Sequence, residues 1–96
     1  MDSSVSVRIP ALLRPLVDGR SEVVLPAPSD TTVAAVLDQL CGGRPLLERR
    51  IRDETEALRR YVNIYVEGED VRRLQLLETP VAPGDTVMVI QSVAGG

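Results

Sequence analysis

The chain has 96 residues and a net charge of −3, enough length for one domain, residues 1–96, around one modest core, and the wrong sign for a phosphate-backbone partner. Its aromatics are Tyr61 and Tyr65 alone, so stacking platforms for bases are missing, and there is no histidine, which removes the commonest general base and metal ligand. Every basic residue is arginine and the single cysteine, Cys41, has no disulfide partner in the chain; no secretion signal or membrane-length apolar run is visible, which fits a cytoplasmic protein.

In chain order, Val5, Val7 and Ile9 alternate with Ser4, Ser6 and Arg8, the pattern of a half-buried strand that Pro10 ends. Leu12-Leu13-Arg14-Pro15 reads as a turn or short helical piece, and Asp18-Gly19 as a tight turn. Glu22 to Leu25 is a second strand, close enough to the first to form an antiparallel hairpin. Pro26 to Asp30 is a loop, and Thr31 is the expected helix N-cap. Val33, Val36, Leu37 and Leu40 then recur at helical spacing as one apolar stripe, stopped by Gly42-Gly43. Pro45 opens a shorter helix whose Leu46, Leu47 and Ile51 are expected to face inward.

Glu48 to Arg60 mixes both charge signs densely. It can be read as a basic docking patch of Arg49, Arg50, Arg52, Arg59 and Arg60, or as a solvated face laced with Glu48, Asp53, Glu54 and Glu56; mixed signs favour the solvated face. Val62, Ile64 and Val66 alternate with Tyr61, Asn63 and Tyr65 in a third strand. Glu67 to Asp70 is its turn, after which Val71 is expected to resume pairing. Pro83-Gly84-Asp85 turns into the last strand, where Val87 and Val89 alternate with Met88 and Ile90. Strand, strand, helix, short helix, strand, strand is the order of an α+β β-grasp fold: a small mixed sheet with one main helix across one face, and first and last strands side by side at the centre.

That helix covers only one face. If Val87 and Val89 face it, Met88 and Ile90 point away, joined by Tyr65, and the three make an apolar patch suited to docking a partner. Directly after the last strand stands Val93-Ala94-Gly95-Gly96. Paired glycines form a slim, Cβ-free segment, suited to entering a narrow active site in another protein so that a terminal carboxyl can react there. Cys41 reads more readily as a small apolar residue at a helix end than as a sulfur-relay thiol.

Tyr61-Val62-Asn63-Ile64-Tyr65-Val66, Glu69-Asp70-Val71-Arg72, Pro83-Gly84-Asp85-Thr86-Val87 and Val93-Ala94-Gly95-Gly96, in this order, resemble the ThiS/MoaD family of ubiquitin-like sulfur carriers. Leu13-Arg14-Pro15 looks like the CysO-type branch that serves actinobacterial cysteine biosynthesis, and Gln91-Ser92 stands where many molybdopterin-type tails carry prolines. The resemblance implies a protein co-substrate rather than an enzyme, monomeric when free, with no cofactor, nucleic acid or membrane of its own. Gly96 would be adenylated by an E1-like enzyme of the MoeB/ThiF type using ATP and Mg, then converted to a thiocarboxylate. Gly95 would pass the narrowest point, with Ala94 and Val93 as spacers. A PLP-dependent or other synthase would accept the sulfur, for cysteine in the first instance and otherwise for a thiosugar, a thiazole or molybdopterin. If Gly96 is the natural end, no protease is needed to expose it. A non-covalent ubiquitin-like interaction module and a lysine-conjugated protein modifier are the readings that compete with a sulfur carrier.

Overall fold

The structure, a computed structural model, describes residues 3–92. A five-stranded mixed sheet runs in the order β2-β1-β7-β4-β5, from β1 (Ser4–Arg8), β2 (Glu22–Pro26), β4 (Val62–Val66), β5 (Glu69–Asp70) and β7 (Thr86–Gln91). β1 and β2 pair antiparallel with Val7 opposite Val23. β1 and β7 pair parallel with Val7 opposite Val87, and β4 lies antiparallel to β7 with Ile64 opposite Val89. The first and last long strands are therefore adjacent at the centre, as the element order predicts.

The alternation read from the sequence sets the two faces. Val5, Val7, Val23, Ile64, Val87 and Val89 are buried beneath α1 (Val33–Cys41), which lays Val33, Val36, Leu37 and Leu40 onto them. Each such aliphatic side chain contributes about 1.5–3 kcal/mol by leaving water, and a core built from them needs no ring.

Local chemistry closes the turns. Glu67 and Gly68 both have positive φ, 50° and 84°, the geometry a two-residue hairpin needs to follow the twist of β4 into β5. Glu67 Oε2 accepts from the Thr86 amide at 2.6 Å, fastening that turn to the start of β7. At Pro83-Gly84-Asp85, Asp85 Oδ2 accepts from the Ala82 amide at 2.9 Å, and the Gly84 amide donates to Ser4 O at 2.7 Å.

Four sequence expectations need correction. The N-cap is Thr32, whose hydroxyl accepts from the Ala35 amide at 3.2 Å. Thr31 instead pairs with Val81 in a short second sheet of β3 (Thr31–Thr32) and β6 (Pro80–Val81). In α2 (Pro45–Ile51), Leu47 and Ile51 are buried but Leu46 is 62% exposed. Leu47 and Ile51, four residues apart, share one side of the helix, and Leu46, about 100° round from Leu47, turns to water. The turn is Glu67-Gly68 alone and pairing resumes already at Glu69–Asp70; Val71 does not pair but is buried at the start of a 3₁₀ turn, Val71–Arg73, with the Asp70 carboxylate accepting from the Arg72 amide. Finally, the charged run is not wholly a solvated face. Arg52 is 5% exposed, and its Nε and Nη2 grip both oxygens of Glu48 at 2.7 and 2.6 Å while Nη2 also reaches Asp38 at 2.9 Å. These contacts pin α2 to α1. Arg49 and Arg50 remain exposed, as the solvated reading expects.

Candidate functional site

The site has two parts: the end of β7, where the chain leaves the sheet, and the sheet face that α1 does not cover. β7 pairs with β1 on one side and β4 on the other, and its last pair is Gln91 opposite Val62. One residue further, the Ser92 amide donates to Tyr61 O at 2.8 Å. The chain is thus held in register through Ser92. The sequence assignments Val93, Ala94, Gly95 and Gly96 lie outside the described residues.

Tyr65 stands directly opposite Met88, and Asn63 opposite Ile90. Because side chains alternate along each strand, Tyr65, Met88 and Ile90 share the open face. They line a shallow groove of about 380 Å³ with Gly68 and Thr86. Met88 is 40% and Ile90 38% exposed, and Tyr65 is half-buried. The structure therefore brings together the three residues singled out as a docking patch; Ile90 is two residues from Ser92, and Tyr65 and Met88 lie further back along the sheet. It adds residues that the sequence reading did not assign to this face. Val24, opposite Ser6 on β2, is 59% exposed on the same face. Arg8, opposite Met88 on β1, and Arg14 border a second, smaller groove with Met88 and Ile90. The alternation of β2 would have found Val24; no spacing rule places Arg14, because it reaches the face from a 3₁₀ helix, Ala11–Val17.

Elsewhere the chemistry is occupied or inert. A charged concavity of about 480 Å³ includes Asp38, Glu48, Arg52 and Asp53. Its buried cation is already neutralised, and the Glu48 hydrogen bonds hold the Arg52 guanidinium charged even against burial. Asp53 Oδ1 accepts from the Thr55 hydroxyl and from the Thr55 and Ala57 amides; the Thr55 hydroxyl first, then the amides, keep this carboxyl below its ordinary range. Cys41 is buried, and burial, with the nearby Glu48 carboxylate second, pushes its thiol up to about 11. At neutral pH it stays protonated, a poor nucleophile. Among the described residues no group of three or more His, Cys, Asp or Glu side chains could hold a metal, and no helix is long and apolar enough to cross a membrane.

Comparison with known proteins matches this geometry to a family. The sulfur carrier protein CysO of Mycobacterium tuberculosis is 39% identical over 95 residues, spanning 97% of this chain and 99% of the relative. The crystal structure of the Amycolatopsis orientalis BexX/CysO complex contains a chain that superposes with a TM-score of 0.82 at 37% identity, covering 96% of this chain and 99% of that one. SAMP1 from Haloferax volcanii also superposes with a TM-score of 0.82, at 29% identity, over 97% of this chain and 99% of its own. The ThiS family model matches residues 7–96, a span that includes the open sheet face and runs through both closing glycines; the chain belongs to the ThiS family.

Proposed function

We propose that this chain is a sulfur carrier: a protein co-substrate whose Gly96 carboxyl is activated by one enzyme and drawn on by another. The single observation that carries this reading is the near-full-length likeness to CysO, 39% identical over 95 residues. An E1-like enzyme of the MoeB/ThiF type would supply Mg-ATP. The Gly96 carboxylate attacks the α-phosphate, a P–O bond forms and pyrophosphate leaves. Adenylation replaces an oxide leaving group with AMP. Sulfide then attacks the acyl carbon, AMP departs, and a thiocarboxylate remains; a persulfide in its place gives an acyl disulfide, which a thiol cleaves to the thiocarboxylate while forming a disulfide itself. A thioacid is ionised at neutral pH and nucleophilic at sulfur, so a synthase can use it directly. Cysteine synthesis is the acceptor pathway that the likeness to CysO favours.

The chain's own part is presentation. Nothing in this scheme calls for a base, metal or phosphate loop on the carrier. It calls for a rigid body, a thin tail and a surface that positions the two. The four residues beyond Ser92 reach at most about 14 Å when extended, so the activating enzyme must seat the sheet close to its own catalytic groups. The Tyr65, Met88 and Ile90 groove, which runs along β7 towards that exit, is the surface we assign to this seating.

Mass spectrometry tests the assignment. Incubation with the activating enzyme of the same cell, Mg-ATP and a sulfide source should exchange one oxygen of the intact chain for sulfur, and fragmentation should place the change on Gly96. An unchanged mass would defeat the proposal. A second reading, protein modifier, is favoured by the likeness to the small archaeal modifier protein SAMP1; it predicts instead a covalent adduct joining Gly96 to a lysine of another protein.

A further inference from the structure

The exposed face next to the tail root is not purely apolar. Arg14 Nε donates to Ile9 O at 3.0 Å, which holds the guanidinium at the edge of the groove it shares with Arg8, Met88 and Ile90. That contact uses one of five guanidinium N–H groups and leaves the terminal nitrogens without a hydrogen-bond partner among the described residues. Among the described residues neither Arg14 nor Arg8 forms an ion pair; the ion pairs there belong to Arg44 and Arg52. Glu22, across the strand pair from Arg8, is the nearest acid in register.

Resting on the carrier reading, we propose that Arg14, with Arg8 beside it, is a fixed cationic reader that pairs with surface carboxylates of the activating enzyme while Met88 and Ile90 fill an apolar pocket between them. The chain as a whole is acidic, at −3, so its overall field repels an acidic partner. Two cations on the docking face supply the local exception. An arginine already tethered through Nε loses less rotamer freedom on binding, and its free edge can take a carboxylate through two parallel bonds. At an exposed rim such a pair acts mainly on encounter rate and on the choice of partner. The apolar residues then hold the complex together, and the tail enters from Ser92 alongside.

Association of the full-length chain with the activating enzyme, followed by stopped-flow and by ATP–pyrophosphate exchange over a range of salt, tests this. Arg14→Glu should lower the association rate roughly tenfold at low salt and flatten its salt dependence, with kcat for adenylation retained once the complex is saturated. Arg14→Lys, which keeps the charge but loses the fork, should restore part of the rate. Arg50→Glu, the same change in charge on the exposed side of α2, should leave both unchanged. Unaltered association of Arg14→Glu, in a protein that melts like the parent, overturns the inference while leaving the carrier reading intact. So does a defect confined to sulfur delivery, which would place the contact on the synthase. If the parent chain itself supports no pyrophosphate exchange, the carrier reading falls and this inference with it.

Discussion

Cys41 is the residue whose chemistry invites a role and whose surroundings deny it one. Burial raises its thiol from 9.0 to about 11. The folded protein therefore holds that proton more tightly than the unfolded chain, so the contribution to stability is complete below pH 9 and is lost as pH climbs towards 11. Compared with Cys41→Ala, the parent should lose up to about 3 kcal/mol of unfolding free energy over that window, measured by urea denaturation at each pH. Alkylation of the native thiol should stay slow at neutral pH, and neutral-pH sulfur transfer should survive Cys41→Ala. Rapid labelling at pH 7 would contradict both. Gly95 belongs to the same scale. Its proposed task is to pass a constriction in another protein, so Gly95→Val should melt like the parent yet show at least a hundredfold loss of pyrophosphate exchange, the order of effect that misplacing a reacting group brings. Normal activation of that variant would refute the threading argument. The composition and the tail glycines are legible in the sequence alone. The burial of Cys41 is legible too, since a free cysteine at a helix end most often behaves as a small buried apolar residue.

Elements show where one-dimensional reading stops. Strands with clean alternation and a helix with a clean stripe come through with their faces correct, because one buried side forces the period. Thr31 and Thr32 are chemically alike, and only the pairing of Thr31 with Val81, fifty residues downstream, decides which of them caps α1. Arg52 shows the same limit. Glu48 stands four residues before it, a spacing that pairs side chains along a helix, but nothing local reveals that Asp38 on α1 converges on it as well. The two acids differ in exposure, at 68% and 35% of their side chains, so the clamp is unequal. Glu48→Gln removes a bidentate carboxylate from a buried cation and should cost about 2 kcal/mol. Asp38→Asn, largely in water, should cost under about 1 kcal/mol. Denaturant midpoints at pH 7 order the two variants; an equal effect would show that the pair acts as one unit.

Across the whole molecule, one face of the sheet makes the core and the other is left for contact. Val24, Met88 and Ile90 stay partly in water, so replacing one of them should trouble binding more than folding. Met88→Asp is expected to weaken association with the activating enzyme by at least tenfold, as loss of a central apolar anchor does, with a melting temperature within a few degrees of the parent. A collapse in melting temperature would mean that Met88 serves the fold. The β-grasp order and the outward direction of Tyr65, Met88 and Ile90 follow from alternation plus a single helix. The cationic border does not, since it depends on how the segment after β1 folds back beside the sheet. The position of β7 has a mechanical consequence. It is flanked by β1 and β4, so traction applied through Ser92 loads two hydrogen-bonded ladders along their length, and all of their rungs must shear together before the strand slips. An enzyme can tug at the carrier's end, or be released from it, without unravelling the body behind it.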